Sequence, residues 1–184
     1  MAAIRPIDRV FQAAELTTLI VPLIDLKAHL NVVHIQDDEL ITGYAVAAQN
    51  IVERTTGRLL SSRACTLKLM NLPTDDPVEL PGGVVNSLTS VTVDGVAVTG
   101  CAVHGDSPAR LYPASSWPGV NGAIYPVIIS YTAGYTTPPG ALKAAVSIIV
   151  ADMYDRRESV TPDAANPSPY AAIELMRLYR IRPI

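Results

Sequence analysis

The sequence predicts an α+β fold, mainly an α-helical bundle of about four helices with an inserted small antiparallel β-module. Two observations carry this expectation. Apolar residues recur at three- and four-residue spacing near both ends of the chain. Between them lies a stretch of short β-branched runs, prolines and an Asp94–Gly95 turn. The implied organisation is residues 1–62 as an N-terminal arm with the first two helices, 63–136 as the β-module, and 137–184 as the third helix, a proline-rich loop and a C-terminal helix.

Residues 1–24 contain apolar side chains without clean periodicity and read as an extended arm. Asp25 is placed as the N-cap of a short helix over Leu26–Leu30, ending near Asn31. Asp37, Asp38 and Glu39 then set negative charge at the start of a long helix, Asp38–Thr56, where the helix dipole favours it. Leu40, Tyr44, Ala47, Ala48 and Ile51 form its stripe, Ile41, Ala45 and Val52 widen it, and Gly57 closes it. The alanines allow close helix approach, inside the core or against a neighbouring subunit.

Thr66–Met70 reads as a strand, and Pro73, Pro77 and Pro81 interrupt the next stretch. Leu88–Val93 and Val96–Val98 flank Asp94–Gly95, a two-residue hairpin signal. Arg110–Tyr112 adds a short strand and Ile124–Thr132 a longer one. Helix resumes after Pro138–Pro139, with Leu142, Ala145, Val146, Ile149, Val150 and Met153 at helical spacing. Thr161–Pro169 is a proline-rich loop, and Tyr170–Arg180 is the last helix.

At 184 residues the chain buries enough surface (roughly 70% of that exposed when unfolded) to need no metal or disulfide staple. Only 17% of residues are charged, below the usual quarter, which is compatible with partners covering part of the surface. The net charge is −3, and no basic run exceeds Arg156–Arg157. Sequence-specific nucleic-acid binding, which draws on clustered cations, is therefore not expected. Cys65 and Cys101 match no CxxC spacing and read as reduced structural residues of a cytoplasmic protein. The N-terminus shows no basic-then-apolar signal pattern, and no apolar run approaches the ~20 residues of a membrane span.

No catalytic constellation emerges. Ser115, Ser116 and Ser130 lack a G-x-S-x-G turn, and neither phosphate-cradling glycine motif occurs. His29 and His34 fall five apart across a helix end, where a zinc helix needs four; His104 stands alone. Asp152, Asp155 and Glu158 recur at three-residue spacing and would permit a carboxylate metal site. The adjoining Arg156 and Arg157 favour ion pairing on a solvated helix end or across a subunit boundary. Trp117 and the eight tyrosines are not interleaved with basic residues, as a stacking platform for single strands requires. The expectation is a non-enzyme with no cofactor and no metal.

Five segments in order resemble the head–tail connector, or adaptor, proteins of tailed bacteriophages. They are Leu23-Ile-Asp-Leu-Lys-Ala-His-Leu-Asn-Val32 with the acidic Gln36-Asp-Asp-Glu-Leu-Ile41; Ala48-Gln-Asn-Ile-Val-Glu-Arg-Thr-Thr-Gly-Arg-Leu-Leu60; Leu88-Thr-Ser-Val-Thr-Val-Asp-Gly95; Val127-Ile-Ile-Ser-Tyr-Thr-Ala-Gly-Tyr135 leading to Pro139-Gly-Ala-Leu-Lys-Ala-Ala145; and Met153-Tyr-Asp-Arg-Arg-Glu-Ser159. The likeness spans roughly residues 20–180. It implies a homo-oligomeric ring, typically dodecameric, that sits under the portal protein and binds a stopper or tail-completion protein. DNA would pass through as cargo. Such a subunit is assembled in the bacterial cytoplasm and resides in the virion neck, with no membrane involved.

Under this resemblance Arg177, Arg180 and Arg182 are candidates for portal docking, because an amphipathic helix end can lie in a partner's groove. Asp155, Arg156, Arg157 and Glu158 are candidates for subunit pairing. The alternative readings are another neck or tail component, such as a head-closure or tail-completion protein, and a metal-dependent enzyme centred on Asp152.

Overall fold

The computed structural model describes residues 9–72, 77–105, 108–120, 124–156 and 169–181. Its elements are β1 (Arg9–Ala13), α1 (Leu23–Leu30), α2 (Asp38–Thr56), β2 (Arg63–Leu69), β3 (Val78–Leu80), β4 (Val85–Val93), β5 (Val96–Ala97), β6 (Ala102–His104), β7 (Ala109–Tyr112), β8 (Val127–Ala133), α3 (Gly140–Asp155) and α4 (Tyr170–Arg177). Among the described residues helix accounts for 34% and strand for 28%, in two antiparallel sheets. This corrects the expectation of a mainly α-helical bundle with a small β-module. Short strands such as β3 and β6 carry too few residues to show a period of two, and only their pairing with β7 defines them.

The chain divides into two compact units. One comprises the described residues of Met1–Glu15 and Ser62–Tyr135, the other those of Leu16–Ser61 and Thr136–Arg182.

In the β unit a five-stranded sheet runs β1-β2-β8-β4-β5 and a three-stranded sheet runs β3-β7-β6. Strand β1, drawn from the segment read as an arm, pairs Phe11 with Leu67 on β2. Alternation on β2 and β8 sends Cys65, Leu67, Leu69, Val127, Ile129, Tyr131 and Ala133 to the buried face. The register sets Cys65 opposite Tyr131, Leu67 opposite Ile129, and Leu69 opposite Val127. Val91 and Val93 of β4 extend the same rows. A slip of one residue would turn this whole set to solvent, so burial fixes the register.

The β4–β5 hairpin turns at Asp94 (φ 50°) and Gly95 (φ 78°). Left-handed backbone at both central positions is the type I′ pattern that matches strand twist. In the smaller sheet Val78 and Leu80 face Leu111 and Ala109, all four buried. Tyr131 is itself buried and its hydroxyl donates to the Pro81 carbonyl at 2.9 Å. Burial, and secondarily the neighbouring Cys65 sulfur, pushes the Tyr131 phenol well above the ordinary tyrosine range. It therefore stays a neutral donor. Cys65 is buried and Cys101 half-buried, both as free thiols.

The helical unit packs α2 against α3 and α3 against α4, with α1 touching both α2 and α3. The buried stripe of α2 is Ile41, Ala45, Ala48, Gln49, Val52 and Thr56. From α3 come Leu142, Ala145, Val146, Ile149 and Val150, from α4 Ala172 and Met176, and from α1 Leu26. Helix α1 starts three residues earlier than its acidic signal indicates. Pro22 takes the N-cap position and Asp25 lies in the first turn, where a carboxylate still complements the dipole. Asn31 (φ 61°) and Gly57 (φ 72°) end α1 and α2 in the left-handed conformation.

Gln49 is fully buried. Its side-chain carbonyl accepts the Ile20 N–H at 3.3 Å, and its amide donates to Glu53 Oε1 at 3.4 Å. The same Glu53 oxygen accepts the Leu60 N–H at 2.9 Å. One turn of α2 thus fastens both the segment that enters the helical unit and the one that leaves it.

Candidate assembly surfaces

Among the described residues no group of three or more His, Cys, Asp or Glu side chains could hold a metal ion. Asp152 accepts an ion pair from Arg156 at 3.0 Å, one helical turn away. No helix of the described residues is long and apolar enough to cross a membrane. The molecule does present exposed apolar and charged surface on the helical unit.

The arginine-bearing end is one such surface. Ala172 and Met176 bury one side of α4. Tyr170, Glu174, Arg177 and Leu178, spaced by four, three and one, share the opposite side. Tyr170 is 74% and Leu178 84% exposed. Arg177 lies 3.6 Å from Glu174 and remains open to solvent. The helix ends at Arg177 rather than at Arg180, because the chain turns back there. Tyr179 N donates to Met176 O, Ile181 N to Thr56 O at 2.8 Å, and Arg58 Nε to Tyr179 O at 2.6 Å. Arg180 is exposed in that anchored turn. Arg182 lies outside the described residues.

The second candidate set is only partly visible. Asp155 and Arg156 are exposed at the end of α3, with Arg156 turned back onto Asp152. Arg157 and Glu158, and the loop residues Thr161–Ser168, lie outside the described residues. Asp155 and Arg156 thus share a helix end, although the arginine already has a partner in its own chain.

Sequence reasoning missed a third surface, the elbow between α1 and α2. Ile24 is 76%, Val33 95% and Ile35 75% exposed, with Leu40 beside them in sequence and also exposed. Leu23, Ile24, Ala28, Val32 and Val33 line an open groove of about 640 Å³. The elbow is held from beneath: Lys27 Nζ pairs with Asp38 Oδ1 at 2.6 Å, and Tyr154 OH donates to Asp37 Oδ2 at 2.6 Å. His34 Nε2 sits 4.0 Å from the same Asp37 oxygen. The available signal was the apolar Val32, Val33 and Ile35 in a turn, where polar residues are usual.

No family model matches the sequence, and no curated protein matches it. Solved structures do match. A chain from the neck of an empty gene transfer agent particle, solved with C6 symmetry, overlays with a TM-score of 0.78 at 22% identity, covering 94% of this chain and 97% of that one. A chain from the virion of the native gene transfer agent particle gives 0.78 at 20% identity over 95% and 96%. One from the native neck solved with C12 symmetry gives 0.74 at 21% identity over 94% and 97%. The protein has the fold of these neck and virion chains, in line with its resemblance to phage head–tail connectors.

Proposed function

We propose that the protein is a structural, non-enzymatic neck subunit of a tailed phage-like particle. It forms an adaptor ring beneath the portal, carries a stopper or tail-completion protein below, and continues the channel through which DNA leaves the capsid. The observation that carries this reading is the near end-to-end overlay on a neck chain, over 94% of this chain and 97% of the other. A protein sharing only a subdomain with neck components would leave much of one chain uncovered. The C6 and C12 symmetries of the matched necks support a ring.

Ring geometry supplies the affinity. Each subunit offers the portal the same modest contact, and once one contact forms the next become intramolecular, so avidity grows without new chemistry. Docking on the portal is assigned to the exposed arginines at the chain end, Arg177 and Arg180, with Arg182 beyond them. Subunit pairing through Asp155, Arg156, Arg157 and Glu158 is the accompanying assignment. The net charge of −3 suits a wall that DNA slides past rather than grips.

Loss of the gene from the genome that encodes it should give DNA-filled heads and finished tails that do not join, as seen by electron microscopy of lysates. Normally tailed, infectious particles from such a genome would contradict the adaptor role.

A further inference from the structure

A ring built from one kind of chain needs two different, mutually complementary patches, because its contacts are head-to-tail. The helical unit carries such a pair. The α1–α2 elbow is apolar at Ile24, Val33, Ile35 and Leu40 and carries the exposed carboxylates Asp25 and Glu39, while Asp38 is committed to Lys27 and Asp37 to Tyr154. The outer side of α4 is apolar at Tyr170 and Leu178 and carries Arg177, followed by Arg180. The groove itself is lined by the Lys27–Asp38 pair and apolar side chains, and its surroundings are net negative through Asp25, Asp37 and Glu39. The α4 side is net positive, since Arg177 shares Glu174 and Arg180 adds a second cation.

We propose that α4 of one copy lies in the α1–α2 elbow of the next, and that this contact closes the ring. The inference rests on the adaptor reading and deepens it by naming the surfaces through which copies join. Removing Ile24, Val33 and Leu178 from water supplies the driving force, since such side chains form the dry centre of an interface. The charges set direction: Arg177 faces the Asp25–Glu39 rim, whereas elbow against elbow or ridge against ridge would bring like charges together. Under this contact Arg177, named above with the portal candidates, is reassigned to the neighbouring copy, and Arg180 and Arg182, later in the sequence, remain for the portal.

The test uses two variants of the full chain, Val33→Asp and Leu178→Asp. Both positions are almost fully exposed, so each variant should fold and melt like the natural protein. Sedimentation equilibrium at millimolar concentration should show the natural chain associating beyond dimers. Each variant alone should associate at least about tenfold more weakly, as expected for a charge placed at an interface centre. Mixed one to one, the variants should form a heterodimer and nothing larger, because each mixture contains only one intact pair of patches.

A natural chain that stays monomeric at that concentration, a variant that still self-associates, or a mixture that forms no heterodimer would each overturn the contact. The adaptor reading is scored separately, by imaging on portal rings. If Val33→Asp still builds a complete layer there, the contact fails and the adaptor role stands.

Discussion

A chain cut before Tyr170 should lose about 3 kcal/mol or more of helical-unit stability, the scale of emptying one large buried site. Ala172 and Met176 close the core formed by α2 and α3, and their removal would open Leu142-bearing α3 to water. The cut also removes the Ile181–Thr56 backbone bond and the Tyr179 carbonyl that Arg58 engages. A domain's whole stability is only ~5–15 kcal/mol, so the truncated protein should unfold at markedly lower urea concentration. The charge reversal of the exposed Arg180 to glutamate, by contrast, should leave the midpoint nearly unchanged. Truncated protein with a wild-type urea midpoint would show that α4 is not part of the core. For portal docking, the reversal is therefore the cleaner probe: a truncation would confound lost contact with lost fold.

Replacing Gln49 with leucine should cost about 2 kcal/mol even though the volume is nearly conserved. The loss comes from the Ile20 N–H, which is left in a buried place without its acceptor, and from Glu53, which loses a donor. The expected signature is local as well as global. Amide exchange should accelerate at Ile20 and Leu60, the two points fastened to this turn of α2. Unchanged urea stability in Gln49→Leu, with both amides still protected, would mean that the network contributes nothing net.

The sequence was most readable where local chemistry decides the outcome. Helix α2 runs from Asp38 to Thr56 as predicted because acidic residues open it and Gly57 closes it. The Asp94–Gly95 hairpin forms because its backbone conformation suits those two residues. Which side of α2 faces inward was harder. Leu40, Tyr44, Ala47 and Ile51 have the same spacing as Ile41, Ala45, Ala48 and Val52, one residue apart. The second set is the buried one. Packing against α3 makes that choice, and no window along α2 contains it.

The β unit was underestimated for a related reason. Strand β1 comes from residues 9–13 but pairs with β2 more than fifty positions later. The three-stranded sheet joins Val78–Leu80 to Ala109–Tyr112 across a long intervening segment. Such pairings leave little trace in short runs. As for surfaces, the arginines near the chain end were visible as charges. The α1–α2 elbow was not, because Ile24 fell in the segment read as an extended arm and Leu40 read as a member of the α2 stripe until the fold left both exposed.

The central claim is tested most directly by negative-stain imaging of the protein mixed with portal rings from the same genome, beside each component alone. The account predicts an added, rotationally symmetric layer on one face of the portal, with the protein's copy number matching the symmetry of that layer. Intact portals that gain no layer in the presence of folded protein would contradict the adaptor role.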